Sequence, residues 1–206
     1  MKPLAILKTL IAATALVCGA ATAALAGPPL LCHPFEIGPA TSLPWTTDQW
    51  RGTRDDYDRS RLNGDVLALL TPTTPVVVRM ETLRRAALYA TGDTRVAQGL
   101  LDTLRARARN GNDGGLAEFD AGYLIETYKE AVALSPAFAD LVRGLDGYAM
   151  VTHSLTIRHN DPAIAFAAAI MTSSRDEGHL GHVKTARAGA TADLLLAKNL
   201  EGRGLE

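Results

Sequence analysis

Apolar residues recur at helical spacing along most of the chain after residue 57. The clearest stripe follows Thr74-Pro75 and consists of Val76, Met80, Leu83, Ala87 and Ala90. Steps of three and four residues predict a helix that ends near Thr91, with the stripe turned toward the core. The charged residues of this segment fall between the stripe positions, so they are predicted to lie on its outer face: Arg79, Glu81, Arg84 and Arg85, with Glu81 and Arg85 as an i,i+4 pair.

Six further segments have the same period and predict helices at about 57–70, 93–110, 116–134, 138–155, 162–171 and 174–199. Three helix starts place a capping side chain before a proline, namely Thr74-Pro75, Ser135-Pro136 and Asp161-Pro162. The connections are short, so successive helices should pack as antiparallel hairpins. We therefore expect an all-α fold of about six to seven helices, arranged as a bundle or a short solenoid.

Residues 27–56 have a different pattern. Five prolines prevent any long apolar period, yet the segment is rich in large apolar side chains, which disordered segments lack: Leu30, Leu31, Phe35, Ile37, Leu43, Trp45 and Trp50. This combination predicts an extended N-terminal arm that packs on the helical body. Trp45 and Trp50 would anchor the arm, although two tryptophans could also form a platform on which a sugar stacks.

The first 26 residues have the pattern of a removable signal peptide. A basic start with Lys2 and Lys8 precedes an uncharged run, and small residues lead to a predicted cleavage after Ala26, with a second possible site after Ala23. An uncleaved membrane anchor is the alternative. We expect export to the periplasm or the medium, and three parts: 1–26 signal peptide, 27–56 arm and 57–206 helical domain.

Charge and cysteine content narrow the function classes. The net charge is −1, and loss of Lys2 and Lys8 with the signal peptide changes it to −3. Basic residues are scattered among acidic ones, so we expect no nucleic-acid partner, and no further segment could serve as a transmembrane anchor. Cleavage also removes Cys18 and leaves Cys32 alone, either buried, paired between chains, or active as a ligand or reactive thiol.

One segment resembles a known family. Tyr128, Ala131 and Pro136 have the spacing of the aromatic, small and terminal proline positions in the second helix of a tetratricopeptide repeat. The match covers half of one repeat, and Leu124 stands where the family favours alanine. The resemblance implies helical hairpins and a groove that binds peptides.

A metal site is the most specific chemistry that the sequence suggests. His179 and His182 stand three residues apart on the last predicted helix, so they share one side, and Asp176 could add an oxygen ligand. Cys32 and His33 could complete a four-ligand site for a transition metal such as zinc if the arm folds back onto this helix. The alternative is a solvated first turn in which Asp176 favours the helix dipole.

No segment has a catalytic or cofactor motif such as Gly-x-Ser-x-Gly. We therefore expect an exported, non-enzymatic binding or scaffolding protein of the cell envelope, with another envelope protein or a peptide as its partner and no resident cofactor. A metal-binding protein that uses His179 and His182, with help from Cys32 and His33, is the alternative. An enzyme whose polar residues assemble only in the folded state is the third hypothesis.

Overall fold

The computed structural model describes residues 28–46, 50–111 and 113–205; the predicted signal peptide and its cleavage site lie outside them. Within these ranges the chain is all-α, as predicted, and contains no β-strand. In the described part of the chain a 3-10 turn at Arg59–Arg61 precedes nine α-helices: α1 Leu62–Leu69, α2 Val76–Ala90, α3 Thr94–Asn110, α4 Leu116–Ala131, α5 Phe138–Leu141, α6 Gly147–Ile157, α7 Pro162–Ile170, α8 His179–Ala190 and α9 Leu194–Glu201.

Consecutive helices form most of the packing, as expected for hairpins. The pairs α3/α4, α6/α7, α7/α8 and α8/α9 are in contact, and α4 also packs on α2 and α6, which places it near the centre. Every residue of α7 from Ala163 to Ile170 is buried. The apolar run after Pro162 is therefore a central helix, as its composition predicted.

Two predicted helices are each broken in two, which raises the number of helices above seven. After α5 the chain turns at Gly144, which has a φ of +70°, and the Asp146 carboxylate accepts a hydrogen bond from Ala149 N at 2.9 Å to begin α6. Likewise, Asp193 accepts hydrogen bonds from Leu195 N and Leu196 N to begin α9. Each aspartate favours the start of a new helix over one continuous helix, because its side chain accepts hydrogen bonds from the first N–H groups of the new helix.

The prediction that a side chain before a proline caps a helix is correct in one case of three. Asp161 caps α7, with Ala163 N at 3.0 Å, and Pro162 is its first residue. The prediction that Thr74 caps α2 is wrong, because its hydroxyl donates to Leu69 O at 2.7 Å in the preceding turn. The Ser135 prediction is wrong too, since α5 begins at Phe138 without a side-chain cap.

The prediction that the charged face of α2 is exposed to solvent is wrong, because this face is buried. Arg79 is 1% exposed, and Glu81 and Arg84 are 0% exposed. The Glu81–Arg85 pair exists, at 2.6 Å, but it lies beneath the arm. The arm and α4 cover two sides of this helix, so charged residues that a period analysis assigns to solvent are enclosed by protein.

The arm packs on the body as the sequence predicts. Leu30, Leu31, Phe35 and Leu43 are each at most 4% exposed and belong to the main core. Trp45 and Trp50 are partly buried against the same core. The Arg84 and Arg85 guanidinium groups lie 4.9 and 5.3 Å from the Trp45 ring. These contacts favour the anchoring interpretation of Trp45 over a sugar platform.

Charged side chains of α2 bind the backbone of the arm. Glu81 accepts a hydrogen bond from Phe35 N at 3.0 Å, and it also pairs with Arg84 at 2.7 Å. Arg84 donates to the carbonyl oxygens of Leu31 and Trp50 at 3.1 and 3.0 Å. An extended segment cannot satisfy its own backbone groups, so these side chains supply partners that a helix or sheet would otherwise provide.

None of the helices in the described ranges is long and apolar enough to cross a membrane.

Candidate binding groove

The two histidines of the predicted metal site have separate hydroxyl partners. His179 is the first residue of α8, and its Nδ1 lies 3.0 Å from the Thr172 hydroxyl. His182 Nε2 lies 2.8 Å from the Tyr148 hydroxyl, and burial lowers the pKa of this histidine. Asp176 accepts a hydrogen bond from Ser173 N in the turn before α8. These contacts occupy one ring nitrogen of each histidine and turn the aspartate back on its own loop.

The arm contributes the other two predicted ligands, Cys32 and His33. Burial raises the pKa of the Cys32 thiol, and the nearby Glu130 carboxylate raises it further by a smaller amount. The thiol therefore stays protonated at neutral pH, and a protonated thiol is a poor metal ligand. The His33 carbonyl oxygen accepts a hydrogen bond from Arg203 at 2.7 Å. In the part of the chain that the structure describes, no three His, Cys, Asp or Glu side chains are grouped closely enough to hold a metal ion.

His33 and His179 do meet at one cavity, which we call the basic pocket. It has a volume of about 280 Å³ and lies where the arm, the end of α7, the start of α8 and the segment after α9 converge. Arg203 and Thr172 complete its polar wall. The remaining lining is apolar and consists of Pro29, Ala169, Ile170 and Leu205.

Arg203 dominates the charge of the basic pocket. Its guanidinium donates to Pro29 O and His33 O and lies 4.5 Å over the Phe35 ring. Burial lowers its pKa to about 10, so it remains charged at neutral pH. Among the described residues no carboxylate forms an ion pair with it. The Glu130 and Glu81 carboxylates attract this charge without forming an ion pair with it. The guanidinium donors that the arm does not use therefore make the pocket favourable for an anion.

The basic pocket continues into two neighbouring depressions along α9. A depression of about 180 Å³ shares His33 and Arg203 with it, and a wider one of about 570 Å³ shares Glu36 and Lys198 with the smaller. The wide depression is lined mainly by apolar surface of α9, including Leu194, Leu195 and Ala197. We call this row of three depressions the arm–α9 groove.

The arm forms one wall of this groove because α9 holds its backbone. Asn199 is 4% exposed; its Oδ1 accepts from Glu36 N at 3.0 Å and its Nδ2 donates to Glu36 O at 2.8 Å. With the two bonds from Arg203, the arm is fixed beside α9 at both ends of the middle depression. The groove therefore exists before any ligand binds, which lowers the entropic cost of binding.

Leu194 is the most exposed large apolar side chain among the described residues, at 80%, and it lines the wide depression. The sequence contained a signal for it. In Leu194-Leu195-Leu196 three consecutive leucines begin a helix, and they cannot all face the same side. Arg203 and Asn199 carried no comparable signal, because their partners Pro29 and Glu36 are more than 160 positions away.

Comparisons with known proteins find no matching protein family, no matching characterised relative and no matching solved structure. The resemblance of residues 128–136 to a tetratricopeptide helix therefore stays a prediction. The groove between the arm and α9 involves other residues and does not depend on that resemblance.

Proposed function

We propose that this chain is an exported, non-enzymatic binding protein that holds a short extended segment of a partner polypeptide in the arm–α9 groove. The single observation that carries the proposal is the row of three depressions with shared walls and a charged pocket at one end. Export rests on the signal-peptide pattern of residues 1–26. In the envelope, the partner would be another exported protein or a peptide.

The dimensions of the groove suit an extended polypeptide. Helix α9 has 8 residues and is about 12 Å long. An extended chain advances about 3.3 Å per residue, so about four residues span the helix. The groove offers apolar surface beside α9 and polar groups in the other two depressions, which suits an extended ligand that presents both side chains and backbone groups.

The two leucines that are most exposed provide a matched test. Leu194 lies in the groove at 80% exposure, whereas Leu180 lies on α8 outside the groove lining at 76%. Aspartate at either position leaves the core intact because neither side chain is buried. Only Leu194→Asp places a charge in the wide depression, so only this variant should lose the ligand.

The experiment is an array of random octapeptides, half with free carboxyl ends and half amidated, probed with the mature protein and both variants. We expect a shared sequence preference for about four adjacent residues, lost with Leu194→Asp and kept with Leu180→Asp. Equal binding of both variants, or no sequence preference with the mature protein, would contradict the proposed function.

Metal binding is a second candidate, favoured by one observation: His33 and His179 line the same pocket. Two imidazoles could bind zinc weakly with solvent filling the remaining positions. Calorimetry with Zn²⁺ tests it, comparing the mature protein with His179→Gln and, as a control, His153→Gln on an exposed face of α6. Zinc binding that His179→Gln weakens and His153→Gln does not would favour this candidate; absent or unaffected binding would exclude it.

A further inference from the structure

We infer that the basic pocket binds the free carboxyl terminus of the polypeptide in the groove, together with a small or medium apolar last side chain. This inference rests on the proposed function and specifies its ligand. It assigns a direction to the bound chain: the terminus lies at Arg203, and the preceding residues pass Asn199 toward Leu194.

The charge of the pocket selects an anionic group. Arg203 brings a guanidinium that is bonded to two backbone carbonyls. The Glu130 and Glu81 carboxylates act on its charge but form no ion pair with it, and none of the eight lining residues is acidic. A guanidinium has five N–H groups in a planar fork that matches a carboxylate. Two of its N–H groups bind the arm, so donors remain for a ligand.

Two further features complete the polar wall of the pocket. The Thr172 hydroxyl donates to Ala168 O and Ala169 O at 3.1 and 3.0 Å, so at 3.0 Å it accepts a hydrogen bond from His179 Nδ1 and fixes the orientation of the His179 ring. His179 is also the first residue of the 12-residue helix α8, whose N-terminal end carries partial positive charge. Both act with Arg203 rather than independently of it.

The apolar part of the lining specifies the neighbouring side chain. Pro29, Ala169, Ile170 and Leu205 supply a wall without polar side chains beside the charged group. The volume of about 280 Å³ is at the small end for ligand pockets, which start near 300 Å³. One carboxylate and one side chain of aliphatic size are therefore a better match than a larger metabolite.

The position of the pocket also suits a chain end. The basic pocket lies at one end of the row of depressions and shares His33 and Arg203 with the middle one. The apolar Leu194 lies at the opposite end. A polypeptide that places its carboxyl terminus at Arg203 can continue along this row, with its preceding side chains toward the apolar depression.

The test compares three forms of the best octapeptide from the array: free acid, carboxyl amide, and amide with an added N-terminal glutamate that restores the net charge. Fluorescence anisotropy measures each Kd. We expect both amides to bind at least about tenfold more weakly than the acid, since a hydrogen-bonded charge is lost. Equal binding of acid and amides would overturn the inference, as would full recovery by the added glutamate, which would indicate net charge alone.

Two variants test which residue distinguishes the free acid from the amide. Arg203→Met should reduce the ratio of acid affinity to amide affinity to about one. Arg143→Met, at an exposed residue in the turn after α5, should leave this ratio unchanged. Because Arg203 also holds the arm, Thr172→Val serves as a second variant. It removes the acceptor that orients the His179 ring in the pocket wall, so it should lower the ratio without removing an arm contact. An unchanged ratio in both pocket variants would contradict the inference.

Failure of the inference and failure of the proposed function give different results. If acid and amide bind equally, but Leu194→Asp abolishes the binding of both, the groove function stands and the terminal carboxylate is excluded. If no peptide binds, or if Leu194→Asp binds as well as Leu180→Asp, both proposals fail.

Discussion

Arginine side chains hold the arm at two places, and the two places differ in what balances the charge. On α2, Arg84 donates to two arm carbonyls and also pairs with the Glu81 carboxylate, and both side chains are fully buried. Beside α9, Arg203 likewise donates to two arm carbonyls, but it has no ion pair among the described residues and lines a cavity. The first arrangement is complete without a ligand, and the second is where we propose that an anion binds.

This difference separates a structural role from a binding role. A buried arginine with its own carboxylate can gain little from a further anion, because its charge and donors are already satisfied. An arginine with spare donors at a cavity can bind one at low cost. Substitutions at the α2 contact should therefore affect stability, and those at the α9 contact should affect binding.

The largest expected effect is the loss of Glu81. Glu81→Ala removes the acceptor of Phe35 N and leaves the Arg84 charge buried and unpaired, so we expect a loss of about 3–5 kcal/mol in the free energy of unfolding. Urea unfolding followed by circular dichroism measures it. Glu201→Ala, on exposed α9 surface, is the control, with an expected change within about 0.5 kcal/mol. A comparably small change in Glu81→Ala would contradict a structural role.

A pH dependence should follow from Glu130, which binds Leu30 N and Leu31 N of the arm, each at 2.9 Å. Burial raises its pKa from 4.5 to about 7. The folded state therefore holds the Glu130 proton more tightly than the unfolded state. The resulting contribution to the free energy of unfolding is full below pH 4.5 and is lost as the pH rises to about 7. The lost contribution is on the order of 3 kcal/mol.

Unfolding free energies measured between pH 4.5 and 8 test this expectation. Asp120, whose pKa burial raises to about 6, contributes in the same direction. Glu130→Gln should therefore reduce the fall in stability without abolishing it. A pH profile with the same slope in the mature protein and in Glu130→Gln would show that Glu130 does not titrate in this range.

The third prediction concerns Arg203, whose loss should affect the free energy of unfolding less and peptide binding more. Arg203→Met removes two hydrogen bonds to arm carbonyls while keeping much of the side-chain volume over Phe35. We expect a loss of about 1–3 kcal/mol in the free energy of unfolding, together with loss of the acid-to-amide preference. A loss as large as that of Glu81→Ala, with the preference intact, would reverse the comparison between the two sites.

The smallest effect concerns the start of α9. Asp193→Ala removes the cap that Leu195 N and Leu196 N share, which costs about 1 kcal/mol and loosens the turn that presents Leu194. Peptide affinity should fall by severalfold in parallel. Asp146→Ala, the equivalent change at the start of α6, should cost a similar free energy but leave peptide affinity unchanged.

Helical periodicity predicted the fold class well because most helices here have an apolar face. It placed α2 and α3 within about one or two residues, and the capping aspartate Asp93 begins α3 as predicted. It did not predict the breaks at Asp146 and Asp193, because an aspartate in a helical period can lie on its surface or end it. Tertiary packing decides between these two outcomes.

The groove could not be predicted from the sequence, for a different reason. The sequence suggests His33 and His179 as metal ligands, and the folded chain does bring them to one pocket. Arg203 and Asn199 have no motif, and their roles depend on contacts with an arm about 160–170 positions away. Similarly, Arg84 has the pattern of a surface residue until the arm covers it.

The most direct test of the binding role is an NMR titration of the mature protein with the free-acid octapeptide. The account predicts shifts concentrated at the backbone amides of Leu194 and Lys198 and at the ring signals of His33 and His179, with the His153 ring unmoved as an internal reference. Shifts that cluster around His153 or Leu180 instead, with the groove signals unchanged, would contradict the arm–α9 groove as the binding site.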